Sequence, residues 1–315
     1  MSRIDEFLNG VRTVAIAGHV NPDGDCVGSC MATYLYLRDN FPEIEADVYL
    51  EHFKPEFRFI EEIDNVKSRL VDKDYDLLIL LDISSKDRIG VAGSLTEKTG
   101  KVLCFDHHVT NREQYTWLIN DPQASSASEV VYRYMDPDKI SEKCAEAIYM
   151  GIVHDTGVFQ YSCTSPETMR IAASLMEKGV PFNRIIDKTF YQKTSLQNQL
   201  LARTLMESIQ MFGGKLIIGY LKNRDISFYG AVSTDMDGIV SQLRNTAGVE
   251  VAVFMYEKEP GVFKVSLRSS EKVDVSAIAQ KFGGGGHVRA AGCVMQGSIY
   301  DVINNLTLYL ERDLV

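Results

Sequence analysis

The architecture this sequence predicts is a two-domain α/β protein: an N-terminal domain with a doubly wound, mostly parallel sheet, a helical linker, and a smaller C-terminal α/β domain. Three observations lead there. The 315 residues exceed the roughly 250–300 at which one hydrophobic core usually stops growing. Short apolar runs alternate with helical stretches through the first half, the pattern of strand–helix–strand units. Several of those runs end in clusters of Asp, His, Asn and Gly, where an open parallel sheet presents its ligand crevice.

The first domain is expected over residues 1–190. Residues 11–17 (Val-Arg-Thr-Val-Ala-Ile-Ala) read as a strand, followed by a Gly/Pro/Asp loop and a helical stretch over 27–38. Residues 46–50 suggest a second strand, 76–81 (Asp-Leu-Leu-Ile-Leu-Leu) one buried on both faces, and 101–105 another. Residues 125–135, 141–153, 165–178 and 181–210 read as helical. The last is broken near Gln192-Lys193-Thr194-Ser195, which puts the linker over 191–210. In the second domain, 211–315, residues 215–221, 249–256 and 262–268 read as strands. Helices are expected near 234–246, 274–281 and 299–312, and Gly283-Gly284-Gly285-Gly286 forms a glycine loop.

Composition excludes several classes. Hydrophobic residues at 45% and charged residues at 24% suit a soluble globular chain and are too apolar for a disordered one. No apolar run approaches the ~18 residues of a membrane span, so no membrane association is expected. Met1-Ser2-Arg3-Ile4-Asp5-Glu6 lacks the basic start and apolar stretch of a signal peptide, and a cytoplasmic location is expected. The six cysteines contain no C-x-x-C pair and stand in apolar contexts, as reduced buried thiols do. Net charge is −10, yet residues 211–315 balance at 11 Lys+Arg and 11 Asp+Glu, so the excess acidity lies upstream. An acidic chain cannot hold long duplex nucleic acid by phosphate neutralisation; a nucleic-acid partner should be short and captured locally.

The acidic clusters look like a binuclear metal site, because carboxylates and imidazoles hold hard or borderline divalent ions. In His19-Val20-Asn21-Pro22-Asp23-Gly24-Asp25 two carboxylates flank a glycine before a helix; helix capping would equally explain them. Asp82 closes the Leu-rich run, where an unpaired carboxylate is costly, although it could instead cap the segment Ser84-Ser85-Lys86-Asp87. In Asp106-His107-His108 two adjacent histidines can face different ways, one toward a metal and one toward a substrate. His154-Asp155 ends an apolar helix, either as a site or as a histidine against the helix dipole. Four of the six histidines fall within these clusters, which favours the site reading. In the second domain the glycine run could form an anion-binding nest or a hinge, and Arg268 a bidentate phosphate contact or a solvated strand end. Ser126-Ala127-Ser128-Glu129 reads as a capping box in preference to a catalytic serine, and Phe159 and Tyr161 as core in preference to base-stacking rings. No nucleophile elbow, Walker loop or Rossmann fingerprint is present.

Taken in order, H-x-x-x-D-x-D, the strand-end Asp82, D-H-H, the later H-D and G-G-G-G-H-x-x-A-A-G resemble the DHH phosphoesterase superfamily with its DHH-associated C-terminal domain. The length, without extra domains, is most similar to the bifunctional oligoribonucleases that are also 3′-phosphoadenosine 5′-phosphate (pAp) phosphatases. The resemblance implies two Mn²⁺ ions, for which Mg²⁺ or Co²⁺ could substitute. His19 and Asp23 would hold one and Asp25, His107 and Asp155 the other, with Asp82 bridging both. His108 would face the substrate, Asp106 would orient the histidines, and His154 would support the site or touch substrate. The C-terminal domain would bind the nucleotide through Arg268, Gly284, Gly285, Gly286 and His287, less securely Arg289, with the active-site cleft between the domains.

The implied activity is exonucleolytic hydrolysis of short RNA to mononucleotides, and dephosphorylation of pAp, by activated water. A cyclic- or linear-dinucleotide phosphodiesterase of the same superfamily is the nearest alternative. A family II inorganic pyrophosphatase fits less well, since Leu267-Arg268-Ser269-Ser270 stands where its Ser-Arg-Lys-Lys cluster would be. A sensor that binds nucleotide without turnover ranks low, and a homodimer is left open.

Overall fold

The structure, a computed structural model, describes residues 3–314. It forms two compact units, Met1–Gln192 and Lys193–Val315. The first unit holds β1 (Thr13–Ala17), β2 (Glu45–Tyr49), β3 (Leu77–Leu81), β4 (Val102–Asp106) and β5 (Trp117–Asn120). Their order is β2-β1-β3-β4-β5 and every pairing is parallel. Alternation along each strand divides the side chains between two cores. Val14, Ile16, Leu77, Ile79 and Leu81 pack with the helices Gly24–Asn40 and Glu142–Asp155. Ala15, Ala17, Leu78 and Leu80 pack with Ile83, Ile89, Ala92 and Leu95. That second face is covered by short turns, because the β3-to-β4 connection carries only Lys86–Arg88 and Leu95–Lys98 as helical pieces.

β5 was not among the expected strands. It has only four residues, all half-buried at the sheet edge, and its apolar run, Trp117-Leu118-Ile119, is too short to mark a strand by itself. The expected helix over 181–210 is three pieces: Phe182–Ile186, a π turn Asp187–Tyr191, and Ser195–Met206, whose start Thr194 caps in a capping box with Gln197.

In the second unit, β6 (Ile209–Met211), β7 (Leu216–Leu221), β8 (Val251–Glu259), β9 (Val262–Ser269), β10 (Gly285–His287) and β11 (Ala290–Gln296) lie in the order β10-β11-β9-β8-β7-β6. Only β7 and β8 pair in parallel. One face packs against Val275–Lys281 and Ile299–Leu314; on the other, Ile217, Ala252 and Phe254 meet Ile239, Val240 and Leu243. Leu200 joins that second cluster, so the helix Ser195–Met206 packs on this sheet. β11 and the helix Asn223–Tyr229 were also unforeseen. Among the described residues no helix is long and apolar enough to cross a membrane.

Candidate metal centre

Because β1, β3 and β4 are adjacent and parallel, whatever follows their carboxyl ends is brought side by side. His19 follows β1 and bridges to Ile89; Asp82 directly follows β3; Asp106 ends β4, with His107 and His108 after it. Asp155 is the last residue of the helix Glu142–Asp155.

Asp82 is the junction. Its backbone is left-handed, with φ of 59°, and its side chain is buried. Oδ2 lies 3.3 Å from His19 Nε2; Oδ1 lies 3.6 Å from His107 Nε2 and 3.5 Å from His108 Nδ1. Oδ1 nonetheless has no hydrogen-bond partner, an expensive condition for a buried carboxylate oxygen. The helical turn that follows begins after Ser85, so Asp82 does not cap it. Around Asp82, donor atoms of Asp82, His107 and His108 lie within 4.8 Å of one another, as do those of Asp25, His107 and Asp155. His107 Nε2 is 3.1 Å from Asp155 Oδ2.

The electrostatics fit a cation. Burial drives the Asp25 carboxyl well above its usual range, and the charges of Asp155 and Asp82 add to the shift. Burial likewise pushes Asp155 up to about 6 despite its contact with His107. Burial would raise the Asp82 carboxyl, but the nearby imidazoles of His107 and His19 together outweigh it and hold Asp82 well below the carboxylate range. Three crowded carboxylates with only imidazoles as counter-charges, plus an orphaned oxygen, form a donor set of the kind divalent metals occupy.

Of the two carboxylates of the first loop, Asp23 caps the helix that follows and Asp25 is held from a distant turn. Asp23 caps the helix Gly24–Asn40, its Oδ1 accepting from the amides of Asp25 and Cys26 at 3.1 Å each, and the same oxygen is 3.8 Å from His19 Nε2. Asp25 is completely buried; Oδ2 accepts from Ala127 N at 2.6 Å and Oδ1 from Ser128 N at 2.9 Å. Cys26 also stands close, its Sγ accepting from His19 N at 3.2 Å. Burial pushes its thiol well above the usual range, which keeps the proton that a metal-binding thiolate must lose.

Asp106 is buried and accepts twice, from His108 Nδ1 at 2.7 Å and from Asn111 Nδ2 at 2.8 Å, while Asn111 also donates to Ile83 O at 2.9 Å. Asn111 escaped the sequence reading, where a loop asparagine carries little signal. So did Arg88, whose Nη2 is 3.4 Å from His19 Nδ1. Asp106→Asn is expected to lower turnover about 10- to 100-fold, because one of its two hydrogen bonds becomes a donor–donor clash and His108 loses its orientation. A kcat within twofold of the unaltered protein would refute that role.

The remaining expected residues have mixed outcomes. His154 Nε2 meets Thr189 Oγ1 at 2.9 Å, and the ring packs edge-on against Phe57 and Phe190 and lies close against Gly24. The first two amides of the glycine run are not open for a nest. Gly283 N donates to Gln280 O and Gly284 N to Ala279 O, closing a helix end, and Gly285 and Gly286 pair with Gly292 and Ala291 in the sheet. Arg268 is half-buried on β9 and donates to Leu267 O; the side chain of His287 lies outside the described residues. Arg289 is committed to the carbonyls of Val273 and Glu271. Glu129 reaches Ser125 N, not the Ser126 amide of a capping box, although Ser126 Oγ does accept from Glu129 N. Phe159 packs against Tyr149, Tyr161 is exposed, and of the six thiols Cys163 is exposed.

Comparison with known proteins agrees with this architecture. Residues 13–152 match the DHH family, N-terminal domain, and residues 213–312 match the DHHA1 domain. A Thermus thermophilus protein named bifunctional oligoribonuclease and PAP phosphatase NrnA is 32% identical, over 99% of this chain and 94% of its own length. The Bacillus subtilis protein of the same name is 27% identical over 89% and 88%. A crystal structure of an exopolyphosphatase-related protein from Bacteroides fragilis aligns at a TM-score of 0.90 with 23% identity, covering 98% of this chain and 94% of that one. With both units matched in order, and a relative 32% identical along nearly the whole length, the chain belongs to the DHH family and carries a C-terminal DHHA1 domain.

Proposed function

We propose that this chain is a Mn²⁺-dependent phosphoesterase that trims RNA fragments of a few nucleotides from an end, releasing mononucleotides, and that dephosphorylates pAp. The observation carrying the reading is Asp82, a buried carboxylate whose unpartnered Oδ1 stands between His107 and His108 while Oδ2 meets His19. The names of the Thermus and Bacillus relatives support the pair of substrates. His19 and Asp23 would hold one ion and Asp25, His107 and Asp155 the other, with Asp82 serving both. The oxygen and imidazole donors suit Mn²⁺, and Mg²⁺ or Co²⁺ as substitutes. Two such ions supply an activated water and neutralise charge on the phosphoryl oxygens. Asp106 holds His108 through Nδ1, which leaves Nε2 as the ring nitrogen to meet the substrate. Arg268, the segment Gly284-Gly285-Gly286 and His287 would bind the nucleotide portion. A net charge of −10 argues for short, locally held RNA, and the setting we propose is cytoplasmic, without membrane contact.

The test is phosphate release from pAp beside mononucleotide release from a 5′-phosphorylated RNA trimer, each with Mn²⁺ and with chelator. Both are expected to proceed with Mn²⁺ and to stop with chelator. Cleavage of cyclic di-AMP or pyrophosphate with neither substrate consumed would overturn the substrate assignment. Nucleotide binding without any turnover would overturn catalysis itself.

A further inference from the structure

We infer that Glu129 is a positioning residue for the metal centre: it fixes the turn at residues 125–128, and the amides of that turn fix the Asp25 carboxylate. The inference rests on the reading that Asp25 holds a metal ion.

The orientation of Asp25 is not set by its own segment. Both of its oxygens are taken by amides 102 and 103 residues further along the chain, those of Ala127 and Ser128. Whatever holds residues 125–128 therefore aims Asp25. Ser126 Oγ accepts from Glu129 N at 3.0 Å, which closes the turn locally. The Glu129 side chain does more. It is completely buried, and its Oε2 accepts from Ser125 N at 3.2 Å, Ser125 Oγ at 2.6 Å and Thr168 Oγ1 at 2.8 Å. Its Oε1 pairs with Arg133, which reaches on to Asp121 Oδ2 at 2.5 Å.

Thr168 lies in the first turn of the helix Pro166–Glu177, and Asp121 follows β5. One carboxylate thus ties the turn to the end of the sheet and to a separate helix. A capping-box glutamate would act only on its own helix; this one crosses to others. Every donor that meets Glu129 is an N–H or O–H aimed at an acceptor-only group. Glutamine would place an NH₂ against one of them, and a buried donor without an acceptor shifts its surroundings. Glu129 is not among the donor groups around Asp82; it acts through the turn.

The test is calorimetric titration of the full chain with Mn²⁺, alongside Glu129→Gln, Asp25→Asn, Thr168→Val and Leu175→Ala. Leu175 is fully buried in the same core, two turns beyond Thr168 on its helix, and its side chain makes no hydrogen bond to the turn, so its variant reports plain destabilisation. Glu129→Gln is expected to weaken Mn²⁺ binding about 10- to 100-fold, the range found for groups that orient metal ligands, with KM for pAp at saturating Mn²⁺ within about twofold. Leu175→Ala should lower Tm and leave the titration unchanged. Normal Mn²⁺ binding by Glu129→Gln, with binding lost in Asp25→Asn, would overturn this inference alone. Normal binding by Asp25→Asn would remove Asp25 from the metal site and take the inference with it. Should Glu129→Gln fail to fold, Thr168→Val decides, because it removes one donor to Glu129 and keeps the pair with Arg133, its loss of the Ser165 cap being read separately from Tm. A several-fold weakening supports the inference, and an unchanged titration overturns it.

Discussion

Asp82→Asn is expected to lower turnover of pAp by more than about 100-fold, beyond the range typical of residues that only orient a metal ligand. The substitution isolates chemistry from conformation. Asp82 sits at φ of 59°, where asparagine is among the few side chains accepted readily, so the backbone has no reason to move. What changes is the donor set. Asparagine carries no charge, and its NH₂ must replace either the oxygen facing His19 or the one facing His107 and His108. Mn²⁺ binding should fall together with kcat, since both depend on the same shared oxygens. Titration calorimetry and single-turnover rates check this; a variant that retains both within fivefold would remove Asp82 from its central place.

Gly28→Ala is expected to cost about 1–3 kcal/mol or more of stability, through overpacking that the surroundings cannot absorb. An added Cβ would stand 2.6 Å from Ala147 O and 2.9 Å from Gly151 N, both main-chain atoms of the neighbouring helix Glu142–Asp155. Main chain in a hydrogen-bonded helix cannot turn aside as a side chain can. The two helices must separate, and they carry Asp25 and Asp155. In a unit of this size each kcal/mol lowers Tm by roughly 2–4 °C, so a drop of several degrees is expected, accompanied by weaker Mn²⁺ binding. Gly100→Ala, with nothing within 4 Å of the added Cβ, serves as the neutral comparison. If Gly28→Ala and Gly100→Ala melt within a degree of each other, the close crossing of the helices is not what places the two carboxylates.

The legible parts of the chain were those whose signal is local. Leu77–Leu81 is apolar throughout because both faces of a central parallel strand are covered, and no competing element reads that way. β5 and β10 stayed hidden because four half-buried residues and a glycine run carry no periodicity; pairing with a neighbouring strand, not propensity, makes them strands.

Residue type and spacing by themselves determined the α/β class, the parallel order of strand and helix, and which carboxylates and imidazoles stand at strand ends. Those are properties of short segments: alternation, apolar runs and ligand chemistry need no distant partner to be read. Tertiary structure alone decided the partners. It put Asp25 under the amides of Ala127 and Ser128, turned His154 to Thr189, left Asp82 Oδ1 without a donor, and spent the Gly283 and Gly284 amides on a helix end. The first three depend on which segments of the first unit meet, and a hydrogen bond between residues a hundred positions apart leaves no trace in the spacing of either; the last is local, but a glycine run reads alike as loop and as helix end.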